Sequence, residues 1–284
     1  MKNYRQISSI FKSQPTIEGA GVHLKRAFGN HQVPLLDPFL LLDDFHSHNP
    51  EDYMAGFPSH PHRGIETVTY MLHGRIKHKD SIGNSGVIEE GDVQWMTAGS
   101  GIIHSEMPQE QHGEFRGFQL WVNLPASYKM MHPRYREVKQ AQIPEISLAK
   151  DVKIKILCGE VAGTKGPVRD IVVDCSYLDV TVPANAEFEY PVKSDDNMFA
   201  YIIEGTGYFD ADKKQPVNED HLVRFTTGDY IDITAGDRPV RFLLVSGKQI
   251  KEPVAWYGPI VMNTQEELQT AFEEYQNGTF IKDS

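Results

Sequence analysis

Short apolar runs, many of them alternating with polar residues, dominate the chain and are separated by Gly, Pro, Asn and Asp. Such runs, rich in Val, Ile, Tyr and Phe, predict β-strands. In the first half the predicted strands are Val22–Phe28, Pro38–Asp43, Thr67–Leu72, Val93–Met96, Ile102–His104 and Phe115–Asn123. In the second half they are Val152–Leu157, Ile171–Val182, Phe199–Glu204, Leu222–Phe225, Tyr230–Ile233 and Val240–Val245. The pattern therefore predicts an all-β fold.

One helix is predicted, near the C-terminal end. Thr264 and Glu267 have the spacing of a capping box, and Gly278 stands where a left-handed residue ends a helix. The apolar residues at helical spacing between them are Leu268, Ala271, Phe272 and Tyr275. Because they share one side of the helix, we expect it to pack against the β-structure.

Two blocks of sequence recur in the same order in both halves of the chain. YMLHG at Tyr70–Gly74 reappears as YIIEG at Tyr201–Gly205, and GDVQWMTAG at Gly91–Gly99 reappears as GDYIDITAG at Gly228–Gly236. Two blocks in register favour a duplicated domain over a chance match.

The chain length also favours two domains, because 284 residues exceed the roughly 100–200 residues that one core typically serves. We predict an N-terminal domain over residues 1–130, a linker over 131–147, and a C-terminal domain that includes the helix over 148–284. The linker contains Pro133 and Pro144 and has no sustained apolar period, as is typical of a connection between domains.

Charge and composition exclude several classes of function. The formal net charge of −11, with no compensating basic cluster, predicts that the protein does not bind nucleic acid directly. No run approaches the roughly 18 apolar residues of a membrane span, and the first residues lack an apolar signal core, so we expect a cytoplasmic protein away from membranes. We also expect it to be a monomer. Cys158 and Cys175 lie in apolar runs and are predicted to be buried, reduced thiols.

Four side chains in the first half are candidate ligands of one metal ion. Residues i and i+2 of a strand point to the same side, so His60 and His62 present two imidazoles together, and His104 stands likewise beside Glu106. Three neutral imidazoles and a carboxylate suit iron, copper, nickel, manganese or zinc, and the absence of cysteine argues against a closed structural zinc site. An octahedral ion would keep open positions for oxygen or substrate.

The repeat offsets indicate which half keeps this site. The positions in the second copy that correspond to the four candidate ligands are Pro191, Lys193, Arg241 and Leu243. Since all four ligand types are lost together, the repeat favours a single metal site in the first half of the chain.

A lone His-x-His pair is weak evidence in a chain with 12 histidines. His46 and His48 form the same pattern in a segment rich in Asp, Ser, Asn and Pro, which is typical of a loop. We therefore interpret this second pair as loop residues and not as metal ligands.

Longer motifs carry a family resemblance. They are DPFL at 37–40, GFPSHPHRGIETVTY at 56–70, GDVQWMTAG at 91–99, GIIHSEMP at 101–108 and QLWVNL at 119–124. Together they resemble the pirin family of the cupin superfamily, over nearly the whole chain. The resemblance implies two cupin (jelly-roll) β-barrels in tandem with a C-terminal α-helix. It also implies iron bound by His60, His62, His104 and Glu106, with no metal in the second barrel.

The wider cupin pattern places the glutamate ligand four residues after the second histidine, which would nominate Glu66. The resemblance to pirins favours Glu106 as the ligand instead. Glu66 is then expected to be a partner that orients one of the imidazoles.

The resemblance further implies a quercetin 2,3-dioxygenase, which opens the flavonol ring with O₂ and releases carbon monoxide. On this hypothesis a flavonol-like molecule binds at an open metal position and Glu106 is the catalytic base. The metal would be Fe(II), with copper, nickel, manganese, cobalt and zinc as alternatives. An alternative is an iron-dependent redox sensor that binds a protein partner without turnover, and a third is a sugar isomerase or other cupin with the same ligands.

Overall fold

The computed structural model describes residues 2–109 and 113–282 and confirms the all-β class with one C-terminal helix. From the N-terminus the strands are Ile7–Lys12 (β1), Gln14–Glu18 (β2), Val22–Phe28 (β3), Phe39–Ser47 (β4), Phe57–His62 (β5), Ile65–His73 (β6), Ile76–Asp80 (β7), Ser85–Ile88 (β8), Val93–Thr97 (β9), Ile102–Pro108 (β10), Phe115–Asn123 (β11) and Arg134–Val138 (β12). The later strands are Glu145–Ser147 (β13), Lys153–Cys158 (β14), Glu160–Val161 (β15), Thr164–Lys165 (β16), Cys175–Val182 (β17), Glu187–Pro191 (β18), Asn197–Glu204 (β19), Thr206–Tyr208 (β20), Val217–Asn218 (β21), His221–Phe225 (β22), Tyr230–Ala235 (β23), Val240–Gly247 (β24), Ala255–Tyr257 (β25) and Ile260–Met262 (β26). The α-helix is Gln265–Gln276 (α1), and short 3-10 helices lie at Pro50–Asp52, Ala126–Tyr128, Gln140–Gln142 and Ala149–Asp151. Each predicted strand overlaps an observed one.

The chain divides into two compact units, and the division differs from the sequential one predicted above. One unit, here called the N barrel, contains Pro15–Gln140 and the chain from Ile250 onward. The other, the C barrel, contains the chain up to Gln14 and Ala141–Gln249. Each barrel thus takes in a segment from the opposite end of the chain. The reason is strand pairing and helix packing between residues far apart in sequence, which neither the repeat nor a linker composition reveals.

Both barrels have the same strand topology. In the N barrel a seven-stranded sheet has the order β12-β9-β6-β11-β4-β3-β2 and a four-stranded sheet the order β5-β10-β7-β8. In the C barrel the corresponding orders are β1-β22-β19-β24-β17-β14-β13 and β18-β23-β20-β21. Each unit therefore combines a large and a small antiparallel sheet, which is a jelly-roll arrangement, and the predicted domain duplication is confirmed.

The strand orders show that one of the two predicted repeat matches is wrong. Gly91–Gly99 spans β9, whose topological equivalent is β22, whereas Gly228–Gly236 spans β23, the equivalent of β10. The match arose because two different strands start after Gly-Asp and end in Thr-Ala-Gly, which reflects shared turn chemistry. The pairing register instead equates the four candidate ligand positions with Tyr190, Val192, Ile231 and Ile233. These four residues take the place of the predicted equivalents Pro191, Lys193, Arg241 and Leu243, and none of the four is a histidine, a cysteine or a carboxylate.

The helix α1 has the predicted ends, and Leu268, Ala271 and Phe272 form its apolar face, whereas Tyr275, predicted for the same face, is exposed. The Thr264 side chain accepts a hydrogen bond from the Glu267 amide, and the Glu267 side chain accepts one from the Thr264 amide. Gly278 has a φ of +73°. Leu268 and Ala271 are buried against the hairpin of β25 and β26, so the helix packs on the N barrel. No helix in the described part of the chain has the length and apolarity of a membrane span.

The C-terminal segment is tied to the end of β5 by a buried arginine. The Arg63 guanidinium donates to the carbonyls of Ser100 at 2.7 Å and Phe280 at 2.9 Å. It also pairs with Glu274 at 2.7 Å and lies 4.3 Å from the ring centroid of Phe280. Because every one of these partners is within the N barrel, the helix end and the tail are anchored next to His62.

A buried lysine makes a second tie at the same place. The Lys129 ammonium donates to the carbonyls of Gly64 at 2.9 Å and Val261 at 3.0 Å, and to Asn123 Oδ1 at 2.6 Å. Burial lowers the pKa of Lys129 to about 8. The three acceptors compensate part of the cost of removing this ammonium from water, and they hold β26 against the chain that leaves β5.

Replacement of Gly64 tests this close approach. Gly64 has a φ of +77°, and a Cβ atom there would lie 1.9 Å from the carbonyl oxygen of Val261. We expect Gly64→Ala to lower the free energy of unfolding by more than about 2 kcal/mol, because the collision adds to a left-handed backbone cost of about 1–2 kcal/mol. The measurement is denaturant unfolding followed by circular dichroism.

Gly83→Ala is the matched control, because Gly83 has a φ of +94° but nothing lies within 4 Å of its added Cβ. Only the backbone cost applies there. Equal destabilisation of the two variants would contradict the packing of Val261 against Gly64.

Candidate metal centre

The three histidines meet because β5 and β10 pair in one register. His104 lies directly opposite His60, and Ile102 lies opposite His62. Residues i and i+2 share a face, so the imidazoles of His60 and His62 point to the side on which His104 also projects. Pro61, between them, keeps the preceding residue extended. The small sheet of the N barrel therefore brings three of the four predicted ligands together.

The ring nitrogens show how these imidazoles are oriented. His60 Nδ1 lies 2.8 Å from the carbonyl oxygen of Pro58, and His62 Nδ1 lies 3.0 Å from that of Pro259. Since a carbonyl only accepts, each Nδ1 carries the hydrogen, and each Nε2 presents a lone pair in the neutral imidazole. The tail of the chain, through Pro259, thus fixes the ring of His62.

The Nε2 atoms converge at distances that fit a metal ion. His60 Nε2 lies 3.1 Å from His62 Nε2 and 2.9 Å from His104 Nε2. Two nitrogens bound at about 2.1 Å and at a right angle to each other would be separated by about 3.0 Å. A tetrahedral angle would give a wider separation, of about 3.4 Å. The two distances from His60 Nε2 therefore fit octahedral positions for His62 and His104 that are each adjacent to that of His60, and an octahedron has further positions for other ligands.

Burial keeps two of the three imidazoles in their neutral form. Burial, reinforced by the neighbouring imidazole of His60, holds the pKa of His62 well below its usual range. Burial, with the neighbouring imidazoles of His62 and His60, has the same effect on the pKa of His104. Neutral imidazole is the form that binds a metal ion, so the electrostatics agree with the geometry.

Glu106 lies beside this group but is held by other residues. Thr69 Oγ1 donates to Glu106 Oε1 at 2.9 Å, and Gln119 Nε2 donates to Glu106 Oε2 at 2.9 Å. Trp121 Nε1 in turn donates to Gln119 Oε1 at 3.0 Å, which fixes the direction of the amide. Ligand atoms of Glu106, His104 and His78 lie within 4.8 Å of one another, so the fourth predicted ligand adjoins the three histidines through His104.

Sequence reasoning missed the buried residues that lie beside Glu106 and His104. His78 is buried, with Nε2 3.0 Å from Asp80 Oδ2 and Nδ1 2.7 Å from the Gln94 amide nitrogen. Its ring stacks on Tyr135 at a centroid distance of 4.7 Å. The alternation in β7, where Ile76, His78 and Asp80 are buried and the lysines between them exposed, is the signal that could have found this pair.

The expected role of Glu66 is wrong. Thr97 Oγ1 donates to Glu66 Oε1 at 2.6 Å, and burial raises the pKa of Glu66. No imidazole among the described residues hydrogen-bonds it. Alternation along β6 places Glu66 on the face opposite to Thr69, which contacts Glu106. Glu66 is therefore directed away from the histidines.

A cavity of about 700 Å³ opens onto the histidines within the N barrel. Its aromatic lining residues are Phe57, Trp121, Trp256 and Tyr257. Arg26, also in the wall, donates to both carboxylate oxygens of Asp43, at 2.8 and 2.7 Å, and pairs with Glu18 at 2.9 Å. Two carboxylates thus surround one guanidinium, which leaves the wall with a net negative charge.

The C barrel has a cavity of its own, of about 570 Å³, without the histidines. Tyr190 and Val192 occupy the places of His60 and His62 in its wall. Cys158 and Cys175 also line it, and both are buried thiols that form no disulfide among the described residues, as predicted. The predicted metal ligands therefore belong to the N barrel only.

Comparisons with known proteins agree with this architecture. A family model described as pirin matches residues 21–122, and one described as the pirin C-terminal cupin domain matches residues 177–281. A pirin-like protein of Caulobacter vibrioides is 46% identical over 97% of this chain and 99% of its own length. These matches confirm the predicted resemblance and the two-cupin fold.

Solved structures give the same result. The crystal structure of a quercetin 2,3-dioxygenase from Acinetobacter baumannii superposes with a TM-score of 0.90, at 30% identity and 98% coverage of both chains. A structure from Geobacillus kaustophilus superposes with a TM-score of 0.78, at 31% identity, covering 89% of this chain and 100% of that one.

Replacement of Gln119 tests the hydrogen bonds around Glu106. We expect Gln119→Leu to lower the free energy of unfolding of the metal-free protein by about 1–3 kcal/mol, because a buried carboxylate oxygen and the Trp121 N–H both lose their partner. Chemical denaturation gives the value.

The control is Gln269→Leu, since Gln269 Nε2 makes the same type of bond to Glu273, at 2.8 Å, on the exposed side of α1. Its effect should be below about 0.5 kcal/mol. A similar loss of unfolding free energy in both variants would contradict a stabilising role for the hydrogen bond between Gln119 and Glu106.

Proposed function

Since the chain belongs to the pirin family, we propose that it binds one divalent metal ion through His60, His62, His104 and Glu106 and acts as a quercetin 2,3-dioxygenase. The proposal rests above all on the convergence of three imidazole Nε2 atoms, 2.9 and 3.1 Å apart, where the aromatic cavity of the N barrel ends. The substrate class is a flavonol-like molecule together with O₂. The related Acinetobacter enzyme bears the same activity in its name and supports the proposal.

The donor set suits iron(II), and copper, nickel, manganese, cobalt and zinc are alternatives with the same ligands. A bound ion would supply open coordination positions and the activation of O₂ and of the flavonol oxygen. The chain supplies the remainder of the chemistry. His60 and His62 are held by the carbonyls of Pro58 and Pro259, so their Nε2 atoms are directed at the site before any ion binds.

Glu106 is the residue that we assign as the catalytic base. Its carboxylate oxygens are oriented by Thr69 and Gln119, and Gln119 is itself oriented by Trp121. Gln119 and Trp121 also line the cavity, so a flavonol whose 3-hydroxyl points at the histidines would approach the same carboxylate. Glu106 would then accept the hydroxyl proton, which converts the flavonol into the more electron-rich anion that reacts with O₂.

The cavity fits a flat, neutral polyphenol. Its volume of about 700 Å³ is within the usual range of small-molecule sites. Trp121 and Trp256 lie 6.0 Å apart between ring centroids and offer apolar faces to an aromatic ligand. Asp43 and Glu18, already shared with Arg26, are acceptors for phenolic hydroxyl groups, and their net negative charge disfavours anionic ligands.

The deciding experiment is O₂ consumption with quercetin by the Fe(II)-reconstituted protein, with metal analysis of each variant. We expect the wild type to turn over. Glu106→Ala should lose about 100- to 10,000-fold in kcat because the base is removed. His62→Ala should lose both activity and bound metal, because one of three imidazole ligands is gone.

His31→Ala is the control, since His31 is exposed and lies outside the cavity lining. It should keep the metal content and kcat of the wild type. Full iron occupancy without oxygen uptake, over several flavonols, would contradict the proposal and would favour the redox-dependent binding protein.

Trp256 provides a separate test of the cavity. We expect Trp256→Ala to raise the KM for quercetin by about 2- to 10-fold with little change in kcat, because it removes an aromatic face of the cavity and the Trp256 indole N–H donates to Gly258 and not to Glu106. Steady-state kinetics measures both constants. Tyr275→Ala, at an exposed aromatic residue on α1, should leave both unchanged. A fall in kcat at constant KM would argue against Trp256 as a substrate contact.

A further inference from the structure

We propose that the N barrel carries a second metal site, for a divalent cation of the zinc type, formed by His46, His48 and Glu114. Ligand atoms of these three residues lie within 4.8 Å of one another. His46 Nε2 is already 2.6 Å from Glu114 Oε1, and the rings of His46 and His48 are 5.8 Å apart between centroids. The inference is independent of the proposed dioxygenase activity.

Adjacent strands of the large sheet fix the cluster. Arg116, in β11, lies directly opposite His46 in β4 on one side and His73 in β6 on the other. Glu114 precedes Arg116 by two residues, and His48 follows His46 by two. His48 and Glu114 lie one residue beyond the ends of β4 and β11, so the cluster lies at the end of these strands, where its ligand atoms come together.

This site is distinct from the three-histidine centre. Phe45 and Phe115, the sequence neighbours of His46 and Glu114, point to the opposite face and belong to a buried apolar cluster. Asp43, which shares the face of Phe45, lines the cavity of the first site. The large sheet therefore separates His46 from the cavity, and one ion could not contact both sets of ligands.

Two imidazoles and one carboxylate are a donor set typical of zinc sites that keep an open position. The side chains of His46 and Glu114 are 28% and 24% exposed, and His48 is exposed, so an ion and its waters have access. His73 Nε2 lies 3.6 Å from Glu114 Oε2 and is a further donor at the edge. Arg116 NH1, at 3.7 Å from Glu114 Oε1, opposes a cation, so we expect weaker binding here than at the first site.

Calorimetric titration of zinc chloride into the metal-free, untagged full chain tests the inference. We expect two binding events for the wild type. The double variant His46→Ala/His48→Ala should lose the weaker event and keep the tighter one, and His62→Ala should do the reverse. Glu114→Gln, which keeps the shape but removes the charge, should weaken the second event at least tenfold.

His31→Ala is the matched control, because it removes an exposed histidine outside the cluster and should retain both events. His48→Ala alone guards against misfolding, since the exposed His48 can be truncated without disturbing the contact of His46 with Glu114; it should also weaken only the second event. Retention by the double variant of every binding event of the wild type, at unchanged affinity, would overturn the proposal.

Discussion

The register between β5 and β10 is the constraint on which the centre depends. Each strand supplies its candidate ligands at alternate positions, and only the pairing of His104 with His60 brings the Nε2 atoms to contact distance. A slip of one residue would turn the side chains of one strand to the other face, and a slip of two would separate them by a full strand repeat. The bulge between His104 and Glu106 then shifts the carboxylate relative to β5. The strand register thus determines where the donor nitrogen atoms can lie, and the side-chain conformations act only within that limit.

The register alone does not orient the rings, and here distant parts of the chain contribute. His62 is fixed by Pro259, and the backbone that follows it is fixed by Arg63 and Lys129, whose partners include Ser100, Phe280 and Val261. These contacts are buried and polar, so they are favourable only in one arrangement of the tail. The contacts that pack the helix against the N barrel thus lie beside those that orient His62, a candidate metal ligand.

The sequence predicted the features that depend on local periodicity and spacing. Apolar alternation located the central strands, the capping box located α1, and the two i, i+2 pairs located the candidate ligands. The sequence did not predict strands that are interrupted by proline or charged residues, such as β5 and β7. Pairing with neighbouring strands, and not intrinsic β-propensity, stabilises these strands. The range Ile171–Val182 began too early, since the strand starts at Cys175.

Long-range partners were beyond prediction for a related reason. Nothing local to Gln119 or Thr69 indicates that both will donate to Glu106, and nothing near His46 points to Glu114. The His-x-His pattern has the same strength in both places where it occurs, and only the fold decides which acids come near it. The wrong repeat match has the same cause. Turn residues that are common to many strands made two strands that are not equivalent look like copies of one strand.

The exchange of chain ends between the barrels has a consequence for biosynthesis. The C barrel needs no residue beyond Gln249, whereas the N barrel includes the segment from Ile250 onward. During translation from the N-terminus, the C barrel can therefore close while the N barrel still lacks β25, β26 and α1. The carbonyl of Pro259 reaches His62 only afterwards, so the barrel whose strands are mostly encoded first is completed last, and its candidate metal ligands stay incompletely oriented until the last segment has been synthesised.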